Sequence, residues 1–228
     1  MRADRRRAAV PVPREFPHCF VDSRTGELIR ERTIRAQVGS PDIRTSRIGV
    51  EVLRVYVPAE YKKSDGGMAG IYDKADVAVA RLARSLVKPP DSCALRISPL
   101  PKSHVLGTGD TSLVAGYGCS RNENPTKLKY TMMKPIDHET CAVDYLLGED
   151  DSVFCAVVTD ANAGSAVCRG DDGTPYVHKS GVVGILSYVP SDRSSDAIFT
   201  KVGAYEQFIK RAMAEKIDHT IKVVDYRS

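Results

Sequence analysis

Apolar positions along the chain come in short β-branched runs rather than in helical stripes. Ile48, Val50, Val52 and Val55 fall in one run spanning residues 47–57. Further runs cover 75–82 (ADVAVARL), 112–117 (SLVAGY), 152–158 (SVFCAVV) and 181–189 (GVVGILSYV). Gly, Pro, Asp and Ser punctuate them, which is the pattern of strands joined by turns. Helical spacing emerges only late. Tyr205, Phe208, Ile209, Ala212 and Met213 recur at i, i+3, i+4 intervals just after Gly203. The pattern predicts an all-β body, a sandwich or barrel, closed by one C-terminal helix.

A chain of 228 residues fits one large domain or two small ones and can bury a sizeable core. Its 13 Pro and 17 Gly agree with many turns. The formal net charge of +4 is small and dispersed, which argues against a dedicated nucleic-acid binder. No apolar run is long enough to cross a membrane. Residues 1–14 (MRADRRRAAVPVPR) are basic and read as a disordered tail; no apolar stretch follows, so no signal peptide is visible. Six Cys suit an extracellular domain with a few bridges.

Two glycine pairs, Gly107/Gly109 and Gly116/Gly118, precede no helix pattern and lack a following Gly-Lys-Ser/Thr, so they read as turns rather than a phosphate cradle. His138 and Cys141 could join Cys155 or His178 around zinc, but no paired close Cys spacing supports it, and a disulfide is the better use of Cys141. No cofactor and no metal are expected.

The informative segment is Cys168-Arg169-Gly170-Asp171-Asp172-Gly173-Thr174-Pro175, a tight loop between two strand candidates. It resembles the Cys-x-Gly-Asp-Ser-Gly-Gly-Pro loop of the trypsin/chymotrypsin family of serine endopeptidases, peptidase S1. Other segments resemble that family's motifs in the same order. His18-Cys19 is similar to the end of Ala-Ala-His-Cys, and residues 75–79 (ADVAV) to Asn-Asp-Ile-Ala-Leu. Residues 115–118 (AGYG) resemble Thr-Gly-Trp-Gly, and 184–188 (GILSY) resemble Gly-Ile-Val-Ser-Trp. Residues 198–202 (IFTKV) are similar to Val-Tyr-Thr-Arg-Val before the terminal helix.

The resemblance implies a double β-barrel with a C-terminal helix, laid out as a partial first barrel (15–88), a linker (89–110), a second barrel (111–202) and a terminal helix (203–217). It implies His18 as general base, Asp76 as its orienter, and the Gly170 and Asp172 N–H groups as oxyanion donors. The nucleophile position is held by Asp172 instead of Ser. A carboxylate there is expected to pair with His18, which favours the protonated ring and removes the base. The resemblance also implies a pocket with Ala166 at its floor, Val189 in place of a glycine at its mouth, Ala197 in place of a wall glycine, and Ser187 and Tyr188 along the adjoining strand. Such a pocket would be small and apolar. Cys141 and Cys155 match a family bridge; Cys119–Cys168 is a candidate replacement bridge.

Only 17 residues precede His18, with no Ile-Val-Gly-Gly start to pair with Asp171. The first strands of the N-terminal barrel are therefore expected to be missing, leaving that barrel incomplete with an open sheet edge. These departures point to a catalytically inactive serine protease homologue that binds a protein or peptide partner or regulates proteolysis. It would be secreted and would engage neither nucleic acid nor membrane. The alternative is an active serine-type endopeptidase whose sequence here is misread or cut short.

Overall fold

The computed structural model describes residues 33–45, 48–64, 71–86, 98, 100, 106–118, 126–160, 166–168 and 170–226. The basic tail, His18, Cys19, Cys93, Cys119 and most of the expected linker lie outside them.

The fold is mostly β. Six strands close into a barrel: β4 (Ser112–Gly116), β5 (Lys129–Pro135), β6 (Val153–Val158), β8 (Pro175–His178), β9 (Gly181–Tyr188) and β11 (Asp196–Lys201). Their order around the barrel is β11-β6-β5-β4-β8-β9. β7 (Val167–Cys168) pairs with β10 (Arg193–Ser194) in a separate two-stranded ribbon. The interior is aromatic. Phe154 and Phe199 stack at 5.3 Å, and Tyr176 meets both edge-on at 5.2 and 5.1 Å. Tyr176 can be fully buried because its hydroxyl donates to the Met133 carbonyl at 2.9 Å. Gly184 makes room for this cluster: a Cβ there would come within 2.6 Å of Phe154 Cζ.

A four-stranded sheet forms the N-terminal half: β1 (Arg35–Val38), β2 (Ile48–Pro58), β3 (Val79–Leu82) and β12 (Ile221–Asp225). The 11-residue β2 is its axis. β3 runs antiparallel along one edge, with a bulge between Val52 and Arg54. Backbone hydrogen bonds alternate sides along a strand, and the bulge shifts that alternation by one. The Val52 N–H therefore reaches Ile34 on the same side on which the Leu53 carbonyl receives Tyr226. So β1 (opposite residues 48–51) and β12 (opposite 54–58) follow one another along the second edge. β2 is thus laddered on both sides, in part by a strand from beyond the terminal helix, and β1, β3 and β12 form the edges of the sheet among the described residues. Among the described residues this sheet does not close into a second barrel.

Among the described residues two α-helices stand where one was predicted. α1 (His138–Tyr145) starts at Asp137, whose carboxylate accepts the Thr140 N–H at 2.8 Å, and ends at Leu146 in a left-handed conformation. α2 (Glu206–Met213) follows a 3₁₀ turn at Val202–Tyr205. It ends earlier than the expected residue 217 because the chain turns at Glu215 (φ 54°) towards β12. Cys141 of α1 is disulfide-bonded to Cys155 of β6, with 5.6 Å between their Cα atoms.

Candidate functional site

Asp76 sits where the N-terminal sheet meets the barrel. A tight turn, with Ala75 at φ 52° and the Val77 N–H bonded back to the Ala75 carbonyl at 2.9 Å, brings it to full burial just before β3. Its Oδ2 accepts the Ser187 hydroxyl from β9 at 2.7 Å, a contact spanning 111 residues. The structure therefore brings two sequence-selected residues together across the two halves. Ser187 was expected only as a pocket-lining residue.

The loop after β7 is fastened to β9 beside this pair. Gly173 N–H donates to the Leu186 carbonyl at 3.0 Å, and Leu186 N–H returns a bond to the Thr174 carbonyl at 2.9 Å. Leu186 precedes Ser187, so the loop tip lies alongside the Asp76–Ser187 contact. Gly170 at φ +98° and Gly173 at φ +85° occupy backbone space that side chains disfavour, which explains the two glycines of the motif.

Two adjacent carboxylates occupy the loop. Asp171 is buried, 8% exposed. Its Oδ1 accepts the Gly118 N–H at 2.6 Å and its Oδ2 the Cys168 N–H at 3.1 Å. Burial pushes its carboxyl above the ordinary range, opposed by those two backbone bonds; neighbouring Asp172 adds to the rise. Gly116 completes the cradle: a Cβ there would lie 2.9 Å from Asp171 Cγ and 2.8 Å from Thr174 Oγ1. Gly116 and Gly118 are thus more than turn glycines. The pattern Gly-x-Gly in a strand exit was visible in sequence, but nothing there connected it to a carboxylate 53 residues away.

Asp172 is half-buried, and its carboxylate turns back into its own loop, where Oδ2 accepts the Gly170 N–H at 3.3 Å. Among the described residues this is its hydrogen-bond partner. The expected pairing of Asp172 with His18 involves a residue outside the described ones.

The remaining selected residues lie on several other elements. β7 carries Val167 and Cys168 against Ser194 and Arg193, so Ala166 stands at the mouth of the ribbon. Val189 (3% exposed) and Ala197 are buried, and Tyr188 packs edge-to-face on Tyr145 at 6.3 Å. Cys168 is disulfide-bonded, while Cys119 lies outside the described residues. His138 is exposed and Cys141 is consumed by its bridge. Among the described residues no group of three His, Cys, Asp or Glu side chains converges to hold a metal ion.

A family model described as Trypsin matches residues 17–209. Among curated proteins, kallikrein 1-related peptidase b22 of Mus musculus is 29% identical over 113 residues, 47% of this chain and 43% of its own length. Chymotrypsin-2 of Vespa crabro is 29% identical over 115 residues, 49% of this chain and 51% of its own. Granzyme B of Rattus norvegicus is 30% identical over 129 residues, covering 55% and 52%. The chain spans about half the length of the curated relatives it matches. Among solved structures, the scabies mite inactivated protease paralogue S-I1 superposes with a TM-score of 0.67 at 24% identity, over 88% of this chain and 83% of that one. Kallikrein-related peptidase 10 in complex with Zn2+ gives 0.65 at 21% identity, over 90% and 87%. At such identities the likeness is one of fold.

Proposed function

The chain belongs to the trypsin family, and from that premise we propose that it is a catalytically inactive serine protease homologue that acts by binding a protein or peptide partner. In this reading His18 is the base position, Asp76 the orienting carboxylate, and Asp172 stands where the attacking Ser belongs. The Gly170 and Asp172 N–H groups are the oxyanion donors. The hydrogen bond from Ser187 to Asp76 supports the placing of Asp76 at the site.

One observation carries the proposal: the Asp172 carboxylate accepts the Gly170 N–H at 3.3 Å. The residue that should attack carries a carboxyl group in place of a hydroxyl, and that group sits on a donor that a tetrahedral oxyanion would need. Losing one such donor typically costs about 10²–10³ in rate. Losing a triad member leaves only about 10³–10⁴ over water. Both losses would fall on one residue here. In this reading Ala166, Val189 and Ala197 are the pocket residues, and the burial of Val189 and Ala197 is in keeping with a pocket that is small and apolar.

Disulfides at Cys141–Cys155 and at Cys168 suit an oxidising compartment, so we place the protein outside the cell or in a secretory lumen. The partner is a protein or peptide, not nucleic acid or membrane. Family membership favours the competing reading, an active endopeptidase, and one experiment separates them. The full chain is exposed to a fluorophosphonate probe that labels activated serines, beside the Asp172→Ser variant. The wild type should stay unlabelled and the variant should react only feebly. Robust labelling or peptide turnover by the wild type would overturn the proposal.

A further inference from the structure

β12 begins at Ile221, past the family-matched residues 17–209, and yet it is fitted closely into the N-terminal sheet. Five residues pair antiparallel with β2, from Ile221 opposite Pro58 to Asp225 opposite Arg54. Ala59 N–H bonding Thr220 and Tyr226 N–H bonding Leu53, each at 2.8 Å, extend the ladder at both ends. The side chains alternate as a strand requires. Ile221 joins Tyr56 and Ala212 beneath α2, while Val224 and Tyr226 pack with Val52, Val55, Val57 and Ala78. Arg54 fixes the register by a two-point contact with Asp225, Nε to Oδ1 at 2.5 Å and a second N–H to Oδ2 at 3.2 Å.

Among the described residues the ladder of this strand is with β2, whereas every barrel strand is laddered on each side. It is reached through a largely exposed segment, residues 214–220. Local opening begins at elements with one ladder and an exposed connection. Opening β12 would uncover the backbone of residues 53–59 together with apolar side chains on both faces of the sheet, Val55 and Val57 on one and Tyr56 on the other.

We propose that this edge of β2 is a strand-acceptor site for an extended peptide, and that β12 is its resident, exchangeable occupant. The peptide would add itself as a strand. It would carry aliphatic side chains at the positions of Ile221 and Val224, an aromatic one at that of Tyr226, and an acid facing Arg54. The site lies in the N-terminal sheet, apart from the Asp172 loop, and does not depend on whether the protein is catalytic.

The test uses a fluorescent peptide of residues 219–226 (HTIKVVDY) and the full chain, wild type and Val224→Asp, followed by polarisation. Val224→Asp should release the resident strand and bind the peptide at least tenfold more tightly than the wild type. A peptide with Asp225→Lys should bind at least tenfold more weakly, with recovery when the protein also carries Arg54→Glu. Equal binding to both proteins, no binding to a folded Val224→Asp chain, or indifference to the charge reversal would overturn the proposal. Should Val224→Asp fail to fold, amide hydrogen exchange on the wild type decides. The Val55 and Val57 amides should exchange together with those of β12, and faster than those of β6 and β9. Exchange only in step with the barrel would refute an exchangeable strand.

Discussion

Gly116→Ala is expected to destabilise the protein by about 2–4 kcal/mol, through one carboxylate. The added methyl would lie 2.9 Å from Asp171 Cγ and 2.8 Å from Thr174 Oγ1. Gly116 ends β4, which is laddered to β5 at five positions and to β8 at two, so its backbone is not free to retreat. The carboxylate must move instead. Moving it stretches the 2.6 Å bond from Gly118 N–H and strains the 3.1 Å bond from Cys168 N–H. A hydrogen bond to a charged group contributes about 1.5–3 kcal/mol, and inserting a carbon into a packed site costs about 1–3 kcal/mol, partly overlapping. For a chain of this size the sum lowers Tm by about 5–15 °C. Urea unfolding of wild type, Gly116→Ala, Asp171→Ala and the double variant forms the assay. In the Asp171→Ala background the carboxylate clash is gone and only the Thr174 hydroxyl, which can turn away, still meets the methyl, so Gly116→Ala should cost clearly less there. An equal cost in both backgrounds would show that the methyl strains β4 itself and that the carboxylate cradle is misread.

Two further outcomes are expected. Opening the Cys141–Cys155 bridge, by replacing both residues with Ala, should cost about 3 kcal/mol, because the residues are 14 apart and the closed loop is of medium length; unchanged urea midpoints with and without the bridge would count against this. Asp171 has a folded-state carboxyl pKa above its ordinary value near 3.8, so the folded state holds that proton more tightly than the unfolded chain does. Its contribution is therefore most favourable below the ordinary value and declines as pH rises to the raised value, then stays level. Relative to Asp171→Asn, the wild type should lose stability as pH climbs through that window; a gain instead would mean that the two backbone bonds outweigh burial.

Legibility followed burial. β2, β6 and β9 are lined with Val, Ile and Leu on one or both faces, and the sequence runs at 47–57, 152–158 and 181–189 fall within a residue or so of them. β5 was missed because its outward positions are Tyr130, Met132 and Lys134, Lys129 is exposed as well, and only Thr131, Met133 and Pro135 are buried. α1 escaped because only Cys141 and Tyr145 are buried on it, so no helical stripe exists; its signature is the Asp137 cap. β12 was missed because Ile221 and Val224 serve opposite faces, which spoils a simple alternation. At the site, Asp76 and Ser187 were both singled out, but their mutual contact depends on packing between the two halves. The Gly170 N–H bond to Asp172 is set by the fold of the loop, with Gly170 at φ +98°, which residue types alone do not specify.

The pairing of β12 with β2 also fixes an order of assembly. Arg54 and Asp225 are 171 positions apart, so their contact closes a loop that contains the entire six-stranded barrel. Every strand of that barrel comes from residues 112–201, and α2 follows directly. During synthesis the barrel can fold as a unit while the N-terminal sheet still waits for the segment that pairs with β2. The barrel's own folding shortens that wait, because a compact body spanning 112–201 replaces most of a floppy loop and lowers the entropy of closure. The half of the molecule that is made first is therefore the half that is finished last.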